Sequence, residues 1–504
     1  MAIDLIYHNP EDRTLPLDRD FAALCDELSL NSLICPEAAS FFSTDPDTLR
    51  MRGELFDLLM ADERLYRALE FLAEGLRDYE DMREKAAGVI MDEHKYLRLV
   101  DAGFYVDFIT RLSELFDGID TDRSAAIARL ADHVRTEAAD PEFLALRDNL
   151  AKLEHDVVHM KSVTIGINLG AHLQPVEAGI VSLNTEVYKS GNFVDRLLRL
   201  DFDEDAFHCI APLVPFKKSL NYEDRLRITD AVNGTLETIC TAALKRAHLK
   251  IRDFFYERME AFSGLRPQAE FLLAAGRFLM RLRERGVTLR TPTVTSGAYR
   301  LAGLCNPELA LREEHIVKND AVFDENGRIF ILTGPNSGGK TVYVRAIAYA
   351  QAMMQLGLPV AADSAELPIC TRILSMFPKN YTSGARSGRL EEECAELSRL
   401  LAKCGSTTLV LMDEVFSSTG ASDAMVLAEG CLRKLSAAGC MCIFSTHLHE
   451  LCERAQELRA PGGGMVDLLA AELAGHTRTY RILRGASSRA SDAVAIAEKY
   501  GLLE

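Results

Sequence analysis

The sequence is poor in the features that mark exported, membrane-bound and metal-ribbon proteins. It contains no tryptophan, and its 12 cysteines are scattered without a C-x-x-C pair, so neither a disulfide framework nor a zinc ribbon is predicted. No apolar run approaches the roughly 18 residues that a membrane-spanning helix needs. The N-terminus also lacks a basic segment followed by an apolar core. We therefore expect a cytoplasmic protein that does not enter a membrane.

The overall charge excludes a surface that is basic everywhere. Lysine and arginine number 57 against 75 aspartates and glutamates, which gives a formal net charge of −18. A local basic footprint is still compatible with this total, because the distribution of charge matters more than its sum. With 504 residues, 48% of them hydrophobic, the chain is long enough for two or three domains with ordinary cores.

The most informative stretch is residues 329–341. Four apolar residues, 329–332, predict a buried strand, and residues 334–341 match the phosphate-binding pattern G-x-x-x-x-G-K-[ST] at each fixed position. Glycines leave room for backbone N–H groups around a phosphate chain, and the helix that follows directs its N-terminal dipole toward that chain. Lys340 is expected to reach the β- and γ-phosphates, and the Thr341 hydroxyl to ligate Mg²⁺. The other predicted nucleotide-binding residues of this loop are Gly334, Pro335, Asn336, Ser337, Gly338 and Gly339.

Two further strand ends supply what hydrolysis needs beyond phosphate binding. An apolar run from residue 408 ends in Asp413 and Glu414, about 70 residues after the phosphate loop. Asp413 is predicted to hold Mg²⁺, and Glu414 to polarise the attacking water. The next apolar run ends at His447, which either senses the γ-phosphate or is a surface loop histidine. We expect an ATPase that uses ATP and Mg²⁺, with Lys340, Glu414 and His447 as its catalytic residues.

The remainder of the chain predicts a helical part followed by an α/β part. Residues 1–45 form an N-terminal segment, residues 46–290 show helical periodicity, and residues 291–504 alternate strands with helices, which indicates a largely parallel sheet. Two period-two segments within residues 162–184 predict a β-hairpin. This hairpin is either an arm that touches a partner or a cap on the helices.

Basic residues concentrate near the end of the helical part. Between residues 241 and 290 they outnumber acidic residues by eleven to five. Such a stripe either follows a phosphate backbone or pairs with the acidic first half of the chain. Both interpretations stay open at the level of sequence.

Together the motifs resemble those of the MutS family, the ATP-driven clamps of DNA mismatch repair. Residues 317–320 resemble its V-x-N-D segment, 333–341 its P-loop, 393–401 the helix after its signature loop, and 445–447 its T-T-H switch. Residues 480–501 resemble its closing helix, and residues 43–56 the start of its core domain.

The resemblance implies a helical core and lever domain over residues 46–290, an ABC-type ATPase domain over residues 291–504, and a homodimer on DNA. It adds Val317 and Asn319 to the nucleotide-binding residues. It also places Ser387 and Arg389 in a signature loop that acts in trans on the partner's nucleotide. Ile316 stands where the family often has an aromatic residue that stacks on adenine.

The chain departs from the family pattern at its beginning. Only about 45 residues precede the core, too few for the family's mismatch-reading domain, so a short member without that domain is expected. The predicted function is an ATP-hydrolysing clamp that binds mismatched or otherwise non-standard DNA through its helical core. The alternative, which the net charge favours, is a MutS-like ATP switch that acts on a protein or ribonucleoprotein partner. A transporter ATPase is less consistent with the sequence, because no L-S-G-G-Q-like signature precedes Asp413.

Overall fold

The structure is a computed structural model, and its described residues fall into two compact units. Unit 1 comprises Met1–Ile3, Glu74–Gly118 and Leu130–Ser263, and unit 2 comprises Asp4–Ala73, Ile119–Arg129 and Gly264–Glu504. The domain boundaries predicted at residues 46 and 291 stay predictions. The described residues are 3–87, 95–157, 162–169, 171, 175–184, 186–187, 189–190, 208–209, 258–335, 337–378, 389–417, 419–474 and 477–485.

Helices dominate the first half of the described chain and alternate with strands in the second. None of the described helices has both the length and the apolar character needed to span a bilayer. In chain order the α-helices are α1 (Arg19–Glu27), α2 (Leu30–Leu33), α3 (Pro46–Ala61), α4 (Glu63–Ala87), α5 (Lys95–Phe116), α6 (Ala125–Ala138), α7 (Pro141–Val157), α8 (Leu265–Glu284), α9 (Pro307–Arg312), α10 (Lys340–Gln355), α11 (Arg389–Leu401), α12 (Ala421–Ala438) and α13 (Glu450–Glu453).

The strands form a hairpin, short two-stranded pairings and two larger sheets. In chain order they are β1 (Ser162–Leu169), β2 (Pro175–Asn184), β3 (Lys189–Ser190), β4 (His208–Cys209), β5 (Leu289–Arg290), β6 (Thr293–Thr295), β7 (Tyr299–Leu304), β8 (Asn319–Phe323), β9 (Ile329–Thr333), β10 (Val360–Ala361), β11 (Ser364–Pro368), β12 (Arg372–Met376), β13 (Thr408–Asp413), β14 (Met441–Ser445), β15 (Val466–Ala474) and β16 (Thr477–Arg484).

Unit 1 contains a nearly buried carboxylate among its helices. Glu137 accepts hydrogen bonds from the Tyr105 hydroxyl and from the Arg258 guanidinium, and Arg258 also pairs with Asp140 at 3.3 Å. A charge removed from water needs such partners, because its desolvation is otherwise uncompensated. One residue of the basic stripe thus pairs with acidic residues from the first half of the chain. The basic residues 245, 246, 250 and 252 lie outside the described residues.

The hairpin of unit 1 lies where the period-two pattern predicts it. Strands β1 and β2 pair in antiparallel register, with Ser162 opposite Asn184. The Ser182 hydroxyl donates to the Thr164 hydroxyl across the two strands at 2.9 Å. The exposed polar side chains on this face are consistent with a solvent-facing hairpin surface.

Unit 2 is built on a six-stranded sheet in the order β12-β13-β14-β9-β15-β16. The first five strands pair in parallel and β16 closes the sheet in antiparallel register, which confirms the predicted α plus α/β class with a largely parallel sheet. Strands β9, β13 and β14 are buried at every position, as expected for parallel strands covered on both faces. Their register aligns Asp413 with Ser445 and Ser445 with Leu332, so the carboxyl ends of these strands meet at one edge.

A second, four-stranded sheet in the order β6-β11-β7-β8 holds the segment before the phosphate loop. Strand β8 begins at Asn319 and pairs with β7 in antiparallel register. Helix α9, between these two strands, begins after Asn306, whose side chain accepts the backbone N–H of Leu309 at 3.1 Å. This N-cap satisfies one of the unpaired amides at the helix start.

Residues 4–45 of the N-terminal segment belong to unit 2, and their helix α1 packs on the edge of the six-stranded sheet. Helix α1 starts at an Asp18 cap, and its buried residues Phe21, Leu24 and Cys25 lie on one face. The helix lies against the edge strand β12, where Arg372 pairs with Asp20 at 3.4 Å. The segment therefore covers a strand edge that would otherwise present unpaired backbone groups.

Candidate functional site

The phosphate loop connects β9 to α10 through glycines that the geometry requires. Gly334 has φ +142°, and a Cβ there would lie 2.6 Å from the Cβ of Ala471 on β15. Gly339 has φ +93° and directly precedes the first residue of α10. A side chain at either position would be strained or would clash. The loop thus turns tightly enough to present its backbone amides and the start of α10 to a ligand. Asn336 lies outside the described residues.

Lys340 is buried inside this loop. Its side chain is 3% exposed, and its ammonium group donates to the carbonyl oxygens of Gly334 at 2.9 Å and Pro335 at 3.1 Å. These carbonyls compensate part of the cost of burying a positive charge. The loop thereby holds a cation at the place where the sequence predicts that phosphates bind.

Asp413 is a buried carboxylate at the carboxyl end of β13. Its side chain is 2% exposed, and neither carboxylate oxygen accepts a hydrogen bond from the described residues. Burial raises the pKa of Asp413, while the nearby hydroxyls of Thr341 and Ser445 oppose that rise. The Ser445 hydroxyl likewise has no hydrogen-bond partner in the described part of the chain.

The oxygens of Asp413 and Ser445 that have no hydrogen-bond partner in the described residues are suited to binding a hard cation. Mg²⁺ prefers oxygen ligands and is usually held by one or two protein groups together with water and phosphate. Asp413 and Thr341 offer a carboxylate and a hydroxyl beside the phosphate loop, the donor set that such a site needs. The residues present therefore fit Mg²⁺.

Glu414 and His447 meet at the ends of neighbouring strands. His447 Nε2 lies 2.7 Å from Glu414 Oε1, and both side chains are about one-third exposed. Glu414 adopts φ +52°, a left-handed conformation that is uncommon for a residue with a side chain. Its backbone N–H donates to the carbonyl of Ser445 at 3.0 Å, which fixes the loop against β14. The two residues predicted from separate strand ends are thus hydrogen-bonded to each other.

A cavity of about 480 Å³ opens beside the phosphate loop. Its lining combines the loop and the start of α10 with Val317 and Asn319, the segment before β8, and Glu414. The side chain of Val317 is partly exposed to this space. The predicted residues Lys340, Thr341 and Glu414 therefore line one space within unit 2, whereas Asp413 and His447 are not part of its lining.

Asn319 uses its side-chain amide within the protein. Its Nδ2 donates to the carbonyl of Tyr480 at 3.1 Å, and its Oδ1 accepts the backbone N–H of Ile482 at 2.7 Å. Both groups belong to strand β16. Asn319 thus joins the start of β8 to β16. This structural role is separate from the nucleotide contact that the sequence predicts for it.

Tyr480 is a candidate site residue that the sequence analysis did not single out. It lines the cavity, is 49% exposed and adopts φ +58°. A Cβ at Gly339 would lie 3.6 Å from its ring, so the tyrosine stands over the end of the phosphate loop. A tyrosine in a strand carries no local signal for such a role, because its position depends on how β16 joins the sheet.

The predicted signature loop is only partly described. Ser387 lies outside the described residues, and Arg389 is the first residue of α11, although its side chain is not among those described. The in-trans role assigned to these two residues therefore stays a prediction. Helix α11 itself packs its Leu397 and Leu400 into the core below β13 and β14.

Comparison with known proteins gives a consistent family assignment for the C-terminal part. The family model described as MutS domain V matches residues 330–503. Proteins named DNA mismatch repair protein MutS are 33% identical over 161 residues in Thermotoga neapolitana and 35% identical over 147 residues in Lactobacillus delbrueckii subsp. bulgaricus. These alignments cover 32% and 29% of this chain, and 20% and 17% of the relatives.

A longer alignment reaches into the helical half. The protein of the same name from Leuconostoc citreum is 27% identical over a region that covers 70% of this chain and 40% of the relative. The chain thus spans between about a fifth and two fifths of the length of the curated relatives that it matches.

Proposed function

Because this chain belongs to the MutS family, we propose that it is an ATPase whose nucleotide state controls a dimeric clamp on DNA. The observation that carries the proposal is a cavity lined by Lys340, Thr341 and Glu414, with the buried carboxylate of Asp413 beside Thr341. A buried cation, a buried carboxylate without hydrogen-bond partners in the described chain, and an accessible carboxylate are the groups that phosphoryl transfer to water requires.

The phosphate loop binds the triphosphate of ATP. Backbone amides of the loop and the N-terminal end of α10 face the phosphate oxygens, and Lys340 exchanges its loop carbonyls for the β- and γ-phosphates. Thr341 and Asp413 would hold Mg²⁺, and the bound ion would supply positive charge that stabilises the phosphates. Electrostatic positioning of this kind accounts for most of the catalysis in such sites.

Glu414 positions and polarises the attacking water. Its carboxylate is accessible and is oriented by the contact with His447 at 2.7 Å. A carboxylate that can accept a proton close to the γ-phosphate fits the role of a general base. His447 would exchange its hydrogen bond with Glu414 for the γ-phosphate, so that its position reports whether ATP or ADP is bound.

Tyr480 supplies an aromatic surface for the adenine base. Ile316 stands where the family often has an aromatic residue, and the exposed ring of Tyr480 faces the same cavity. Stacking on a base contributes about 1–3 kcal/mol in nucleic-acid-binding proteins. The base would therefore lie between Tyr480 and Val317.

Replacing Tyr480 with alanine should weaken ATP binding by roughly tenfold, because one stacking contact is lost. Tyr480→Phe should bind ATP nearly as the parent protein does. Calorimetry with ATP reports on the adenine surface and the phosphate loop together, whereas calorimetry with inorganic triphosphate reports on the phosphate loop alone. The affinity for triphosphate should not change in Tyr480→Ala. Leu483→Ala, an exposed apolar residue on the same strand, is the matched control. An equal loss of triphosphate affinity would show that Tyr480 shapes the phosphate loop instead.

The DNA partner and the homodimer are proposed from the family. Each site would be completed by the signature loop of the other subunit, and the helical half would contact DNA through backbone phosphates and shape. The net charge of −18 and the pairing of Arg258 with acidic residues favour a second candidate, a switch that acts on a protein or ribonucleoprotein partner.

Affinity for DNA should fall steeply with salt if the clamp function is correct. Binding to duplex, mismatched, branched and single-stranded DNA is measured across a salt series, with and without ATP. The slope of log affinity against log salt should be about −0.9 for each duplex phosphate contacted. Lys340→Ala should abolish the effect of ATP on this binding. Absence of binding to all four DNAs would favour the protein or ribonucleoprotein partner.

A further inference from the structure

Helix α11 makes a side-chain hydrogen bond to the backbone of the loop that carries Glu414. Glu393 lies in the second turn of α11, and its Oε1 accepts the backbone N–H of Phe416 at 2.8 Å. Phe416 stands two residues after Glu414. A side chain thus reaches 23 positions along the chain to hold the backbone of the catalytic loop.

The backbone that Glu393 holds is strained. Glu414 has φ +52° and Phe416 has φ +64°, so two residues with side chains adopt the left-handed conformation within three positions. Such residues persist only where surrounding contacts maintain them. Besides the Glu393 contact, the N–H of Ser417 donates to the carbonyl of Glu414 at 3.3 Å, which closes a turn.

The same helix and loop share a hydrophobic contact. Phe416 and Val415 are buried in the core cluster that includes Leu397 and Leu400 of α11. Leu390 and Cys394, one turn apart on the same helix, pack against this cluster. Apolar packing therefore holds α11 beside the loop, and the Glu393 carboxylate sets the direction of the Phe416 N–H.

We infer that Glu393 is a positioning residue that joins α11 to the Glu414 loop, so that the helix and the loop move together. This inference rests on the proposed function, in which Glu414 orients the attacking water.

Glu393→Ala tests the inference in the full-length protein. Loss of the acceptor should lower kcat by about tenfold while the Kd for ATP changes less than about twofold, because Glu393 lies outside the nucleotide cavity. Glu393→Gln keeps an acceptor oxygen and should retain a kcat close to that of the parent protein. Glu391→Ala removes an exposed acid from the same helix and should have no effect on kcat.

Hydrogen–deuterium exchange gives a readout that does not depend on catalysis. The amide of Phe416 should exchange at least about tenfold faster in Glu393→Ala, while the amides of β13 keep their protection. Unchanged exchange at Phe416, or an equal loss of kcat in Glu391→Ala, would overturn the inference. Failure of Glu414→Gln to slow hydrolysis would instead overturn the proposed role of Glu414, and the exchange result at Phe416 would still stand.

Discussion

Replacing Glu414 with glutamine should lower the rate of ATP hydrolysis by at least about 100-fold and leave ATP affinity nearly unchanged. Glutamine has the size of glutamate and can still contact His447, which lies 2.7 Å from the carboxylate. It cannot accept a proton from water, so the chemical step loses its base. Single-turnover hydrolysis gives the rate, and a fluorescent ATP analogue gives the affinity.

The control for this experiment is Glu450→Gln in the helix that follows His447. Glu450 is exposed and lies outside the cavity lining, so its loss should not affect either quantity. Hydrolysis that survives in Glu414→Gln would assign the water to another group, and His447 would be the next residue to replace. A large loss of affinity would indicate that glutamine disturbs the strained backbone at φ +52°.

Replacing Arg52 with methionine should destabilise unit 2 by about 3 kcal/mol or more. Arg52 is fully buried and donates to the backbone carbonyls of Ile6, Phe41 and Leu356, at 2.7 Å and 3.3 Å for the first and last. Burial lowers the pKa of Arg52 to about 10, and the guanidinium lies over the ring of Tyr7. Methionine fills similar space but leaves three buried carbonyls without a donor.

The contact with Leu356 explains why the effect should reach the phosphate-loop helix. Leu356 is the C-cap of α10, where the helix dipole favours a positive charge. Amide exchange in α10 should therefore become roughly 100-fold faster in Arg52→Met, the equivalent of the expected free-energy loss. Arg50→Met, on the exposed side of α3, should leave this exchange nearly unchanged. Equal amide exchange of α10 in the two variants would show that the hydrogen bonds of Arg52 do not stabilise this helix and that its side chain contributes packing alone.

Much of the ATPase half follows from local sequence patterns. Strand β9 begins at the predicted residue, Ile329, and extends the predicted strand by one residue to Thr333. The predicted helix after the phosphate loop, α10, begins at Lys340, because Gly339 in its left-handed conformation ends the loop. These features depend on contiguous residues, and so an apolar run or a glycine pattern is sufficient to predict them.

The contacts that complete the candidate site were less accessible to prediction. Tyr480 reaches the cavity only because β16 pairs with β15 at the far side of β9. The sequence predicts a nucleotide contact for Asn319, whereas its amide also joins β8 to β16 across more than 160 positions. The segment 1–45 gave no functional signal, yet its α1 covers the edge strand β12.

The sequence alone predicted the resemblance to the MutS family, the fold class and the residue types of the candidate site, because strand ends, glycines and charged residues follow short motifs. Only the tertiary structure decided which groups meet: Glu414 with His447, Glu393 with Phe416, and Tyr480 with the phosphate loop. Each of these contacts depends on strand order, register and side-chain direction. The packing of the whole unit sets the strand order, the register and the side-chain directions, and a local sequence pattern does not carry that information.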